Sequence, residues 1–155
     1  MHFVGTKRTS RTRLGSLVAT MLALGAIACS DSPTGVDTTT DDLIGMWDIT
    51  SLRFTPVGGG TAAEGLVGSA TIAFRDDLTY TLTFIEGAVT DVENGTFAVN
   101  GSTLTLTLPG EDPDELTVTA VSSTAATLYA EDESFDFNDD DEETPATLTV
   151  TLRKQ

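Results

Sequence analysis

The sequence is poor in the residues on which most hydrolases and zinc proteins depend. Its 155 residues contain one His, one Cys and one Trp. Because the His is His2 and the Cys is Cys29, the chain beyond Cys29 offers no imidazole base, no thiol nucleophile, no disulfide and no His/Cys zinc site. Many Ser and Thr hydroxyls remain, but no His and almost no Lys could activate them. We therefore expect a protein that is not an enzyme and that carries no cofactor.

Basic residues are scarce beyond the N-terminus. The chain has 24 acidic and 8 basic side chains, a formal net charge of -16. Four of the basic residues, Lys7, Arg8, Arg11 and Arg13, lie in the first 13 positions, so the remainder carries 4 - 24 = -20. Such a surface repels phosphate backbones and anionic headgroups. This charge excludes nucleic-acid binding and electrostatic membrane association through the folded domain.

The apolar run Leu14–Ala28 is too short to favour a membrane span. Its 15 residues fall below the roughly 20 that a bilayer-spanning helix needs. The run follows a basic start and ends in small residues, which is typical of a bacterial export signal. We therefore predict a signal peptide over residues 1–28, with a permanent transmembrane anchor as the alternative.

Cys29 follows this run directly. The sequence Ala26-Ile27-Ala28-Cys29 resembles a lipobox, in which the Cys becomes the acylated N-terminus of a lipoprotein. The alternative is an ordinary signal-peptidase site at Ala26-x-Ala28, which would release a soluble protein. Ser30 does not match the Asp signal that retains lipoproteins in the inner membrane. The resemblance therefore implies an exported protein with an acyl anchor at Cys29, destined for the outer membrane.

The stretch after Cys29 is low in apolar residues. Residues 30–41 contain one aliphatic side chain, Val36, and no aromatic one. A segment of this composition does not bury enough apolar surface to fold. We predict that residues 29–41 are the lipidated Cys and a flexible tether, and that the folded domain spans residues 42–155.

From Leu43 onward the apolar residues alternate with Thr and Ser at a period of two. The clearest runs are residues 78–84, 103–108, 116–119 and 147–152. This period sends successive side chains to opposite faces of a strand. One face is apolar and the other is mostly threonine, which is typical of antiparallel strands that cover a single core.

Turn residues divide this region into strands. Asn100-Gly101 is a strong hairpin signal, because both central residues of a type I′ turn need a positive φ. The predicted strands are roughly 43–54, 66–75, 78–87, 95–100, 102–108, 115–121, 125–131 and 146–153. Eight successive strands with short connections predict an all-β fold, an antiparallel up-and-down barrel whose closure removes exposed edges. A β-sandwich remains the alternative, because alternation alone does not show that the sheet closes.

The first predicted strand carries a short motif. Gly45-Met46-Trp47 resembles the Gly-x-Trp signature that opens lipocalins and bacterial lipocalin-like domains. The stretches 73–80, 94–106 and 148–154 are similar to later strands and turns of that family. Leu78 departs from the pattern, since the family commonly has a turn Gly there. The resemblance covers most of residues 43–154 and implies a lipocalin-like barrel that binds a small apolar molecule inside.

Trp47 is interpreted as a structural residue. A lone indole between Gly45 and Ile49 on one strand predicts a ring that plugs one end of the barrel, where the Gly lets the backbone come close. Lipocalins place an Arg from the end of the last strand across that ring, and Arg153 matches in position. The alternative is that Arg153 and Lys154 form a solvated basic tail.

The resemblance also implies a cavity wall formed by the apolar faces of the strands. The candidates for contact with a ligand are Tyr80, Leu82, Phe84 and Phe97. Further wall residues of the same faces are Ile72, Phe74, Val99, Leu104 and Leu106. An eight-stranded barrel is just wide enough either to be filled by its own side chains or to hold one small ligand, and the sequence leaves this choice open.

An acidic run precedes the last predicted strand. Residues 131–143 hold nine acids in 13 positions. Asp136, Asn138 and Asp140 have the first spacing of an EF-hand loop, but Asp141 replaces the turn Gly and Thr147 replaces the closing Glu. We therefore predict a solvated acidic loop without a metal site.

Three functional hypotheses follow. The first is an envelope lipoprotein whose lipocalin-like barrel binds or shields a small apolar molecule. The second is a surface interaction module, in which a filled barrel acts through loops such as residues 58–60 and the acidic run. The third is a hydrolase, for which the sequence offers little support.

Overall fold

The computed structural model describes residues 33–65, 68–138 and 142–155. These residues form one helical turn and nine strands. The elements are α1 (Thr40–Leu43), β1 (Gly45–Pro56), β2 (Ala63–Glu64), β3 (Ser69–Phe74), β4 (Thr79–Glu86), β5 (Val89–Asn100), β6 (Thr103–Thr107), β7 (Asp114–Val121), β8 (Ala125–Phe135) and β9 (Thr144–Lys154).

The sheet closes into a barrel. From β3 to β9 each strand pairs antiparallel with the next, and β1 pairs with both β3 and β9. Eight strands therefore form the ring, while the two-residue β2 pairs with β1 outside it. The predicted eight-stranded antiparallel up-and-down barrel is confirmed, and the alternative of a sandwich is excluded because the hydrogen-bonded order is continuous.

The core lies inside the barrel, and the period of two builds it. In β9 the buried side chains are Ala146, Leu148, Val150 and Leu152, and the threonines between them are only partly buried. The same alternation buries Leu104 and Leu106 of β6 and faces its threonines outward. Thr therefore solvates the outer face, while the opposite parity supplies the core.

The largest difference from the predicted strands concerns β5. It begins at Val89, six residues before the predicted start, and its residues 89–96 pair with the whole of β4, from Glu86↔Val89 to Thr79↔Thr96. Residues 89–94 have no apolar alternation, because the inward positions of this half of β5 are occupied by Asp91 and Glu93. Residues 89–94 form a strand because they pair with β4, and their composition alone does not predict a strand.

The predicted tether also needs correction. Val36 N–H donates to Val118 O at 2.8 Å and Thr38 N–H donates to Gly101 O at 3.0 Å. Thr38 is buried, and Gly35 packs so closely on Ser102 and Thr117 that a Cβ there would overlap them. The segment 35–38 therefore belongs to the domain, whose predicted start was residue 42. Backbone hydrogen bonds hold it although it has little apolar surface.

The predicted signal peptide and Cys29 lie outside the described residues. Within the part of the chain that the structure describes, no helix combines the length and the apolar character needed to cross a bilayer.

Leu78 occupies a strained turn position. The β3–β4 connection is a turn in which Leu78 N–H donates to Arg75 O, and Arg75 N–H donates to Thr79 O. Leu78 has φ +63° and its side chain is 46% exposed. This is the left-handed residue that follows the turn, a position at which Gly avoids the steric cost.

We expect Leu78→Gly to stabilise the domain. The left-handed conformation costs a residue with a Cβ ~1–2 kcal/mol, and Gly loses ~0.5–1 kcal/mol in unfolded-chain entropy, so the gain should be roughly 0.5–1 kcal/mol. Urea unfolding followed by Trp47 fluorescence measures it. Leu78→Ala is the matched control, because it removes the side chain but keeps the strain. Equal stability of the Gly and Ala variants would contradict the assignment of strain.

Candidate functional site

One end of the barrel is closed by Trp47 and the turn that precedes β1. Trp47 and Leu43 are both 0% exposed, and the indole Nε1–H donates to Leu43 O at 2.7 Å. The position of α1 is fixed by Asp42, whose carboxylate accepts hydrogen bonds from Thr39 N–H at 2.8 Å and Thr39 Oγ1–H at 2.7 Å. These bonds lower the pKa of Asp42. We call this end, where β1 begins and β9 ends, the closed end.

Lys154, and not Arg153, lies against the indole. The Lys154 Nζ is 5.0 Å from the centroid of the Trp47 ring, within the range of a cation–π interaction. Gly45 makes room for it, because a Cβ on Gly45 would lie 2.6 Å from Lys154 Cε, and its φ of +134° also favours Gly. Gly45 and Trp47 thus both lie against the Lys154 side chain at the closed end.

The expectation for Arg153 is corrected. Arg153 points outward and forms an ion pair with Asp48 at 3.2 Å, with 70% of its side chain exposed. An exposed pair of this kind contributes little to stability. Alternation from Leu148 through Leu152 already places Lys154 on the inward face and Arg153 on the threonine face. The alternation in the sequence therefore indicated Lys154 as the residue on the indole, whereas the family pattern indicated its neighbour Arg153.

The predicted cavity residues form the inner wall next to the plug. Tyr80, Leu82 and Phe97 are buried, and Phe84 is partly buried. Phe74 joins this group, with its ring centroid 4.9 Å from that of Phe97 and 6.5 Å from that of Tyr80. The structure therefore brings the candidates together on one side of the barrel, with Phe84 furthest from the plug.

Inward-facing side chains are larger near the closed end than near the opposite end. Trp47, Phe74, Tyr80 and Phe97 fill the half around the plug. The opposite half, where β1 ends and β9 begins, contains the small buried side chains of Ala70, Ala130 and Ala146 together with the buried ring of Phe54. Space for a ligand is therefore expected in this second half.

The second half also becomes exposed towards its rim. Inward-facing residues there are only partly buried, as Phe84, Glu93 and Phe135 show, and we call this the open end. Phe135 stacks on Phe54 with ring centroids 4.4 Å apart, and Phe137 meets Phe135 edge-on at 5.0 Å. Phe135 is the last residue of β8, so these rings lie near the rim of the open end.

Carboxylates face the open half of the barrel, which the sequence analysis missed. Glu93 pairs with Leu82 and Asp114 pairs with Leu106, so both lie on the inward face. Burial, followed by repulsion from Glu111, raises the pKa of Glu93. Burial together with Glu93, Asp114 and Glu111 raises the pKa of Tyr80 to about 12. The inner wall therefore passes from aromatic near the plug to anionic near the rim.

A separate pocket of about 550 Å³ lies at the barrel surface between β4–β5 and the β6–β7 loop. Gly95 lies in its wall, since a Cβ there would collide with Thr107 O and the Tyr80 ring. Its remaining lining comes from Arg75, Thr79, Asn94, Thr96, Thr107, Leu108, Pro109, Gly110 and Glu111.

The acidic run is described only in part. Asp140 and Asp141, which belong to the EF-hand-like spacing, lie outside the described residues. Among residues 33–65, 68–138 and 142–155, no group of three or more His, Cys, Asp or Glu side chains is arranged to hold a metal ion.

Comparison with known proteins identifies the family of the barrel. The sequence model of the family described as the lipocalin-like domain matches residues 43–129, more than half of the chain. The chain belongs to this family. Among solved structures, a lipocalin-like protein from Bacteroides uniformis ATCC 8492 is 13% identical, with a TM-score of 0.49 over 74% of this chain and 99% of that one. The comparison with curated proteins gave no match.

Membership gives a general class of function. Lipocalin-like domains are in general binding proteins that catalyse no reaction. In this lipocalin-like domain the Gly-x-Trp residues stand at the start of β1 and close the barrel. The ligand is not specified by family membership.

Trp47→Ala should unfold or severely destabilise the domain. Truncation of a buried Trp typically costs ~3–5 kcal/mol, a large part of the ~5–15 kcal/mol that stabilises a domain. Trp47→Phe should be milder and lose mainly the bond to Leu43 O. Because Trp47 is the only Trp, a blue-shifted native emission that moves red on denaturation reports its burial. A solvated native emission together with normal folding of Trp47→Ala would contradict the plug.

Glu93→Gln should stabilise the domain at neutral pH. The pKa of Glu93 is raised in the folded state, so its charged form is disfavoured there and stability falls as the pH rises past its unfolded pKa of ~4.3. The gain should shrink as the pH falls towards that value, because both states then bind the proton. Urea unfolding at several pH values measures it, with the exposed Glu86→Gln as the control. A gain that is independent of pH would contradict the desolvation of Glu93.

Proposed function

We propose that the protein is an exported lipoprotein, anchored through Cys29, whose barrel binds or shields a small apolar molecule in its open half. The observation that carries the ligand site is the gradient along the barrel axis. Aromatic rings fill the closed end, whereas the inner wall of the open half holds Ala70, Ala130 and Ala146, with Phe54 and Phe135 stacked near its rim. A single apolar ligand of modest size fits the interior of an eight-stranded barrel.

The rim restricts the chemistry of that molecule. Glu93 and Asp114 lie on the inner wall between the aromatic end and the rim, and together with Glu111 they place negative charge in this part of the barrel. Such a field disfavours an anionic headgroup. The ligand class that fits is therefore neutral or cationic at its polar end and apolar elsewhere. A fatty carboxylate is the poorer fit.

The ligand site is tested by filling the open half. Ala146→Phe adds a ring on the inward face, and Thr147→Phe adds the same ring one residue along on the outward face. We expect Ala146→Phe to weaken binding of a neutral apolar fluorescent probe on the order of tenfold, about 1.4 kcal/mol, and Thr147→Phe to leave it unchanged. Native Trp47 emission confirms that both variants fold. Equal affinities would overturn the site.

The anchor is tested separately. Cys29→Ser should move the protein from the membrane to the soluble fraction, because the thiol that accepts the acyl chains is lost. Labelled palmitate should enter the wild-type protein and not the variant. A wild-type protein that never takes up the label would overturn the anchor and leave the ligand site standing. The outer membrane as the destination is tested by density separation of the two membranes.

A second candidate is a surface interaction module. The surface pocket beside Gly95 favours it, because it opens between β4–β5 and the β6–β7 loop and has room for a side chain or small group of a partner. A barrel that purifies without any bound molecule, seen by native mass spectrometry, and that ignores apolar probes would favour this candidate over the first.

A further inference from the structure

We infer that the anchored domain stands with its closed end towards the membrane and its open end facing away from it. This inference rests on the proposed acyl anchor at Cys29 and goes beyond it, since an anchor alone does not orient a domain. Three features support it: the place where the N-terminal segment docks, the length of chain between that place and Cys29, and the distribution of charge.

The docked segment reaches the barrel at its closed end. Thr38 N–H donates to the carbonyl of Gly101, in the turn between β5 and β6. Val36 N–H donates to Val118 O in the last part of β7, and Val118 N–H in turn donates to Ser102 O. These partners lie at the end of the barrel where β5 and β7 finish, which is the end closed by Trp47. The chain therefore leaves the domain towards Cys29 from this end.

Docking sets an upper limit to the distance between anchor and domain. An unattached segment of the 13 residues 29–41 could extend about 45 Å at ~3.5 Å per residue. Because Val36 is hydrogen-bonded to β7, only the seven residue steps from Cys29 to Val36 remain, which span at most about 25 Å. The covalent reach is thus roughly halved, whatever conformation those residues adopt.

This reach is too short to turn the barrel over. β9 has 11 residues, and strands that rise ~3.3 Å per residue and tilt by 35–45° give a barrel height of about 25–30 Å. To place the open end on the bilayer, the chain would have to run this whole height along the barrel side. The seven residue steps from Cys29 to Val36 do not span the barrel height when the acyl chains on Cys29 are inserted in the lipid.

The distribution of charged side chains favours the same orientation. Of the four basic residues among those described, Arg75, Arg153 and Lys154 lie at the closed end. Carboxylates also lie at the closed end, as Asp48 and Asp76 do, but a larger number lie in the hairpins and loops of the open end. Examples are Glu86, Asp91, Glu111, Asp112, Asp136 and Glu142. An anionic membrane surface repels such an end within a Debye length of ~8 Å at physiological salt.

The test uses the full-length lipidated protein in vesicles of phosphatidylcholine and phosphatidylglycerol that contain a headgroup nitroxide lipid, a short-range quencher. Asp76→Cys and Asp112→Cys each carry a bimane label. The two aspartates are exposed and lie in connections at opposite ends, Asp76 at the closed end and Asp112 at the open end. We expect loss of most of the fluorescence at Asp76→Cys and little loss at Asp112→Cys.

A second pair of variants tests the cause. Gly35→Val should release the docked segment, because its side chain would overlap Ser102 and Thr117. The exposed Thr34→Val is the matched control. In the Asp76→Cys background, Gly35→Val should lose much of the quenching and Thr34→Val should keep it. Equal quenching in both would overturn the inference that docking holds the orientation.

Flotation of the vesicles distinguishes failure of the proposed anchor from failure of the proposed orientation. Protein that floats and shows stronger or equal quenching at Asp112→Cys overturns the orientation and leaves the anchor intact. Protein that fails to float overturns the anchor, and the orientation with it. Flotation together with selective quenching at Asp76→Cys supports both.

Discussion

The pairing of β1 with β9 is the interaction on which the rest of this structure depends. It turns an open meander into a ring, so that the threonine faces become the outer surface and the apolar faces share one interior. It also sets Trp47 opposite Lys154 and Asp48 opposite Arg153. The plug and the outer ion pair at the closed end both follow from this register. Without the pairing, β1 and β9 would each expose an edge that invites association with other chains.

The two ends of the barrel interior differ, because only one of them is closed. Trp47, Leu43 and the rings around Phe74 occupy the closed end and leave no face of the indole in contact with water. Alanines, half-buried carboxylates and the stacked rings of Phe54 and Phe135 occupy the other end. The indole and Leu43 are fully buried at the closed end, whereas the inward-facing Phe84, Glu93 and Phe135 at the open end are only partly buried. The interior therefore opens to solvent at one end only.

The N-terminal segment links the domain to the proposed anchor. Its composition is that of a linker, yet Val36 and Thr38 are tied to the barrel by backbone hydrogen bonds and Gly35 fits against Ser102 only because it lacks a Cβ. A polar segment can dock without a hydrophobic face when another part of the chain presents unpaired backbone groups at the right place. Here those groups are the carbonyls of Gly101 and Val118, at the ends of β5 and β7.

Some features were determined by the sequence alone. The alternation of Leu and Thr assigned each side chain in β6 and β9 to the inside or the outside, and turn residues such as Asn100-Gly101 separated the strands. The Gly-x-Trp motif placed the plug at the start of β1. Alternation also put Lys154, rather than Arg153, on the inward face. These are local properties, fixed by the two-residue period of a strand and by the steric demands of turns.

Other features were decided only by the tertiary structure. Closure of the ring, the inward position of Glu93 and the docking of Val36 all depend on partners far away in the chain. The first half of β5 has no apolar alternation, and only its pairing with β4 makes it a strand. A strand's own residues determine which face is apolar, but they do not determine which strand supplies its hydrogen bonds. That choice depends on the simultaneous pairing of the whole sheet.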